Sequence, residues 1–203
     1  MVDNSTIFRT AGKKVKLHKL DKLFVIGDFD GNGKQDTIFQ HNYSRLAKFE
    51  IEYSADPFQN EWDTVVKWFY EQGADLFLTM NSSNKDTLHL GTAQGLYCLI
   101  NIGDNNADSK DEIALVVDYL DISRINSCKI YTLCNDKWML LKHFGVQEDS
   151  FDYTSENTPI FDSIKGYLEN RNGRWFYKDY SKISLDTEED AGKMKKLILD
   201  DCK

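Results

Sequence analysis

Two acidic runs in this sequence have side-chain spacing suited to binding a hard cation. In Gly27-Asp28-Phe29-Asp30-Gly31-Asn32-Gly33-Lys34-Gln35-Asp36, oxygen-bearing side chains fall at loop positions 1, 3, 5 and 9, as Asp28, Asp30, Asn32 and Asp36. The spacing returns 76 residues later, behind Gly103, as Asp104, Asn106, Asp108 and Glu112. Alternate residues of a tightly curled loop can converge, and the carboxylate and amide oxygens then form the shell that Ca²⁺ prefers. Lys34 and Lys110, at position 7, would each add a backbone carbonyl with the ammonium turned to solvent. Mg²⁺ wants a smaller, more rigid octahedron and keeps its waters. Zinc draws on Cys or His, and neither run contains one. The same composition also suits solvated turns between strands, so the metal remains an expectation.

The flanking residues say which elements must hold these loops. Apolar runs lead in, Leu23 to Ile26 and Leu99 to Ile102, and apolar runs lead out, Thr37-Ile38-Phe39 and Ile113-Ala114-Leu115-Val116-Val117. An EF-hand would place a bidentate acid at position 12, where this chain has Phe39 and Leu115. The exits are partly β-branched and read as strands rather than helices. Each unit is therefore strand, loop, strand. In the second, Ala107 and Ser109 replace Gly31 and Gly33, which ease the curl of the first.

At these residues the chain resembles the FG-GAP or VCBS repeat family, whose signature runs Gly-Asp-x-Asn/Asp-Gly-Asp/Asn-Gly-x-x-Asp/Glu into an apolar strand. The resemblance covers about a dozen residues per copy and about a third of the chain. It implies a calcium loop within a β-propeller blade, with ligand roles at Asp28, Asp30, Asn32, Lys34 and Asp36, and at Asp104, Asn106, Asp108, Lys110 and Glu112. Propellers close with several four-stranded blades, and 203 residues hold too few such units. The expected fold is mainly β with one or two helices, an atypical or incomplete propeller-like arrangement of two strand, calcium loop, strand units. A single domain is expected over 1–203, with units over roughly 20–98 and 99–180.

Elsewhere, Lys48 to Tyr53, Ala74 to Met80, Thr87 to Gly91 and Gln94 to Ile102 read as strands, with a turn over Asn81 to Asp86. Trp62 to Gln72 has helical spacing, with Trp62, Val65, Val66, Phe69 and Tyr70 on one side and Gly73 as a stop. Hairpins are expected about Asn135-Asp136-Lys137 and Asn172-Gly173. Trp138 and Trp175 follow those turns at equivalent places and read as packing residues. A short amphipathic helix is expected over Thr187 to Leu199, carrying Met194, Leu197 and Ile198 on one side.

The net charge of −8 offers no basic stripe for nucleic acid. No transmembrane run and no signal peptide are visible. Small calcium loops outside sensor proteins are typically structural extracellular modules. The expected location is therefore extracytoplasmic (periplasmic, cell-surface or secreted), with a signal or lipid anchor removed. Cys98, Cys128, Cys134 and Cys202 fit no zinc spacing. Cys128 and Cys134 would lie about 20 Å apart along one strand, and a link from Cys98 or free buried thiols are both open. His18, His41, His89 and His143 form no recognisable catalytic motif, so a non-enzyme is expected.

The leading expectation is a protein in which structural Ca²⁺, two ions in all, rigidifies a β surface for a protein or glycan partner. The strand, Gly-Asp loop and hairpin pattern is also similar to that of small calcium-binding inhibitors of lysozyme-like toxins and of immunity proteins. In that reading Gly145 to Pro159, with Glu148, Asp149, Asp152 and Glu156, would be the inserting loop. A third alternative, a carbohydrate-processing enzyme, would show a cleft with convergent carboxylates away from the loops.

Overall fold

The structure, a computed structural model, describes residues 9–10, 13–81, 86–151, 162–182 and 193–202. In chain order come β1 (Arg9–Thr10), β2 (Lys13–Lys14), β3 (Leu17–Lys19), β4 (Phe24–Gly27), β5 (Asp36–Ser44), β6 (Phe49–Glu50) and β7 (Tyr53–Ala55). After α1 (Trp62–Gln72) follow β8 (Ala74–Met80), β9 (Leu88–Gly91), β10 (Ala93–Gly103), β11 (Glu112–Tyr119), β12 (Ile125–Cys134) and β13 (Lys137–Gln147). The last strands are β14 (Leu168–Arg171), β15 (Arg174–Tyr177) and β16 (Lys195–Lys196).

Two antiparallel meanders of four strands dominate. The first runs β4-β5-β8-β9 with β6 added on β5, and the second runs β10-β11-β12-β13. Each opens with a strand, an acidic loop and a second strand paired back on the first, so Gly27 faces Asp36 and Gly103 faces Glu112. The third sheet, β14-β15-β16, is separate and does not extend the second meander. The protein is thus mainly β with one helix among the described residues, and no closed barrel forms.

Layering explains the residue patterns. Val25, Ile38, Leu76 and Leu78 of the first sheet share a core with Leu99, Ile113, Leu115 and Leu133 of the second. The opposite face of the second sheet, including Ile100, Val116, Ile130 and Phe144, packs under Ile164, Leu168, Trp175, Leu197 and Leu199. Covered on both sides, β11 has no solvent face from Glu112 to Val117, and Ile113 to Val117 reads as a continuous apolar run. In β8, by contrast, buried and partly exposed residues alternate, as a strand with one covered face requires.

Local signals placed several elements well. Helix α1 ends at Gly73, whose φ of 55° is the left-handed C-cap geometry, with its N–H on the Phe69 and Tyr70 carbonyls. Asn135-Asp136 and Asn172-Gly173 all have positive φ, so both hairpins turn through the two-residue geometry that matches strand twist. Trp175 is buried, and Trp138 packs on the core between the meanders.

Four expectations need correction. The inward side of α1 is Val65, Trp68 and Phe69, while Tyr70 is 63% exposed. Lys48 to Tyr53 is not one strand: β6 pairs with β5, the pairing lapses after buried Ile51, and β7 pairs with β3. Gly145 to Gln147 belongs to β13, and Glu148–Ser150 is a short 3-10 turn, so the supposed inserting loop begins inside a sheet. The C-terminal helix is replaced over 193–199 by extended chain: Phe176 pairs with Lys196, and the Leu197 N–H donates to the Trp175 carbonyl. The run Met194 to Leu199 is too short to separate the two periods, and the strand edge of β15 decides. Residues 82–85, 152–161 and 187–192, where parts of these expectations fall, lie outside the described residues.

Leu197 is 4% and Ile198 70% exposed. Leu197→Ala should therefore cost about 2–5 kcal/mol and Ile198→Ala within about 0.5 kcal/mol in urea denaturation. Equal losses would favour a helix burying both.

Candidate metal centres

The strand pairings that begin each meander bring both acidic runs to a focus. Carboxylate oxygens of Asp28, Asp30 and Asp36 lie within 4.8 Å of one another, as do those of Asp104, Asp108 and Glu112. The loops share one hydrogen-bond circuit. Asp28 Oδ1 accepts from the Asn32 N–H at 3.0 Å and Asp28 Oδ2 from the Gly33 N–H at 2.9 Å. Asp104 accepts from Asp108 and Ser109 at 3.2 and 2.9 Å. Position 3 accepts from the position 5 N–H, through Asp30 at 3.1 Å and Asn106 at 3.1 Å. Position 5 accepts from position 7, where the Lys34 and Lys110 amides donate to Asn32 and Asp108 at 2.8 and 3.0 Å.

The backbone repeats as well. Gly31 and Gly33 have φ of 74° and 78°, and Ala107 and Ser109 adopt 63° and 70° at the matching positions. Left-handed geometry costs a residue with a Cβ roughly 1–2 kcal/mol, so the second loop holds the curl against its own side chains. Lys34 is exposed as expected, but the Lys110 ammonium does not face solvent. It donates to the Leu133 carbonyl of β12 at 2.9 Å and ties the loop to the sheet.

Turns alone do not account for the deepest oxygens. Asp36 is 6% and Glu112 0% exposed. Asp36 Oδ2, Asp108 Oδ2 and Glu112 Oε1 are buried with no hydrogen-bond partner among the described residues. An unpaired buried carboxylate oxygen is costly, and three carboxylates in one cluster repel. A cation resolves both at once. Burial pushes the Glu112 carboxyl up to about 7, the Asn105 N–H bond opposes it, and Asp108 and Asp104 push further. Burial and Asp30 likewise raise Asp36.

Sequence reasoning missed that the two loops touch. The Asp28 N–H donates to Asp111 Oδ2 at 3.0 Å, and the Asp111 N–H returns to the Asp28 carbonyl at 2.9 Å. Asn101 Nδ2 bridges Asp111 Oδ2 and the Ile26 carbonyl at 2.9 and 3.0 Å. A Cβ on Gly27 would collide with the Asn101 amide and the Asp111 carboxylate, so glycine there permits the close approach. The only local hint is Asp111 standing where the first loop has Gln35. The second loop also reaches the chain end, where Asn106 Nδ2 donates to the Asp200 carbonyl at 3.4 Å. Cys202 there pairs with Cys134, Cα atoms 5.6 Å apart, while Cys98 and Cys128 stay free and buried.

One further group has the order of a catalytic triad. His41 Nδ1 lies 2.7 Å from Glu50 Oε1, and His41 Nε2 lies 2.8 Å from Thr79 Oγ1. Thr79 sits mid-strand, paired with Phe39 in the β5 and β8 ladder, without the free amide donors an oxyanion would need. Phe77 stacks on His41 with centroids 4.9 Å apart, which fits a packed face of the sheet. Compared with known proteins, the chain matches no family model, no curated protein and no solved structure.

The sign of the pH dependence follows from the raised carboxyls. Without metal, the folded chain keeps a proton on Glu112 that the unfolded chain releases near 4.5, so this group's stabilisation is present below that value and lost as pH rises through about 7. Asp118, at the far end of β11, is also pushed up to about 7 by burial and adds the same slope. Melting temperature of metal-free protein should fall over this range, and Glu112→Gln should flatten the fall without abolishing it. An unchanged slope in that variant would count against a buried, unpaired Glu112.

Proposed function

We propose that this chain is a non-enzymatic calcium-binding protein whose two ions are structural. The observation that carries the reading is the duplicated loop circuit, each copy ending on a buried carboxylate oxygen without a partner. Oxygen-only donor sets on an adaptable loop favour Ca²⁺ over Mg²⁺ and zinc. Asp28, Asp30, Asn32 and Asp36 would hold one ion with the Lys34 carbonyl, and Asp104, Asn106, Asp108 and Glu112 the other with that of Lys110. Each ion would offset carboxylate repulsion and pin the first two strands of a meander, as in the FG-GAP and VCBS units that the motif resembles. Two meanders packed face to face, each opening on such a loop, support an incomplete propeller-like arrangement.

The surface thus stiffened is the outer face of the first sheet. Phe24, Ile26 and Phe39 are exposed there, Phe24 directly across from Phe39, and Phe77 lies among the rings of His41, Tyr43 and His89. Apolar and aromatic surface of this kind suits a protein or glycan partner. The Cys134 to Cys202 disulfide and the calcium requirement support an extracytoplasmic setting. No helix among the described residues is long and apolar enough to cross a membrane.

Calorimetric titration of chelator-stripped protein should give two calcium-binding events. Each should add about 2.7 kcal/mol of stability at a hundredfold excess over Kd. Asp36→Asn should remove one event and Glu112→Gln the other. Absence of binding at millimolar calcium would contradict the reading.

A further inference from the structure

At the opposite end of β11 from Glu112 lies a pocket of about 280 Å³ that the metal reading does not use. Its walls come from the turn before α1 (Pro57, Phe58), the first residue of α1 (Trp62), the start of β10 (Gln94, Tyr97), the β11 to β12 connection, and Glu148. This volume is at the small end for ligand sites, about 300–1,000 Å³ for drug-sized molecules, and suits a group the size of one long side chain.

Three carboxylates line it, Asp118, Asp121 and Glu148, with no Lys, Arg or His among the described lining residues. Tyr97 Oη and Gln94 Nε2 donate to Asp118 at 2.8 and 3.1 Å, and both bonds end on Oδ1, so Oδ2 stays available. Among the described residues the Glu148 side chain makes no ion pair or hydrogen bond, although its N–H is held by the Arg124 carbonyl at 2.9 Å. Lys129, the cation on the neighbouring strand, bonds the Tyr119 hydroxyl at 3.1 Å and, among the described contacts, pairs with none of these carboxylates. Asn126, 8% exposed, has a buried Nδ2 with no acceptor among the described residues. Exposed Phe58 and half-buried Trp62 add aromatic surface of the kind that attracts a cation. Burial, with Glu148 and Asp121 adding repulsion, raises Asp118, and an entering positive charge would relieve both.

We propose that this pocket binds an organic cation, a guanidinium or ammonium head on a short apolar stem, with Asp118 and Glu148 as its carboxylate partners. The Trp62 and Phe58 rings cover the stem, and the Asn126 amide donates to an acceptor carried by the ligand. Such a head belongs either to a basic side chain of a protein partner or to a small free amine. The assignment does not rest on calcium binding.

The test is an NMR titration of calcium-loaded protein that follows the Asn126 side-chain amide and the Trp62 indole N–H. The probes are blocked arginine amide, a short aliphatic diamine and a neutral disaccharide. Saturable shifts with either cation, weakened by salt, are expected. Preference for blocked arginine would assign a partner's side chain, and preference for the diamine a free amine. Glu148→Gln, at a surface-accessible position, should keep the melting temperature and weaken binding about tenfold, roughly 1.4 kcal/mol. Asp118→Asn gives a second, independent loss. No shift with either cation at millimolar concentration, or binding of the disaccharide alone, would overturn the proposal. So would cation binding that survives both substitutions.

Discussion

Three carboxylates converge at the head of each four-stranded meander, and the innermost of each set, Asp36 and Glu112, is buried. Like charges within 4.8 Å oppose folding unless something positive stands between them. The local amides answer part of this demand, since Asp28 and Asp104 each accept two backbone N–H groups. They do not reach the inner oxygens of Asp36 and Glu112, which sit on the strands that the rest of each sheet is paired to. Strand order, loop curl and the interface between meanders therefore all meet at these two clusters.

The consequence is a hierarchy of rigidity. Phe29, fully buried inside the first loop, anchors it in the core that both meanders share. The Asp28 N–H donates to the Asp111 carboxylate and the Asp111 N–H to the Asp28 carbonyl, so a change of geometry at one cluster is felt at the other. Lys110 fastens the second loop to β12, and Asn106 meets the chain end two residues from the disulfide. Electrostatic relief at the loops would thus be transmitted through covalent, hydrogen-bonded and packed links to the exposed aromatic face of the first sheet and, along β11, toward the Asp118 pocket.

Much of this was readable where local chemistry dominates. The loops, the Gly73 stop, the Asn135-Asp136 and Asn172-Gly173 turns and the period of β8 each depend on residues within a few positions of one another. Long-range choices were not readable. Met194 to Leu199 fits either period, and only the free edge of β15 makes it a strand. Trp68 faces inward because the shell of Val15, Ile51 and Ala55 lies on that side of α1. The Asn101 and Asp111 bridge joins residues of the second unit to Ile26 and Asp28 of the first, and no spacing rule reaches that far. Asp118 closes the apolar run Ile113 to Val117, a faint sign of a buried acid whose surroundings come from four other parts of the chain.

The central claim is that each cluster holds one calcium ion through the duplicated ligand set. Diffraction from calcium-grown crystals, with anomalous differences measured at a long wavelength, tests it most directly. Two peaks are predicted, one within coordination distance of Asp28, Asp30, Asn32, Asp36 and the Lys34 carbonyl, the other of Asp104, Asn106, Asp108, Glu112 and the Lys110 carbonyl. Loops of unchanged curl with water or a lysine ammonium between the carboxylates, and no anomalous peak at either, would contradict it.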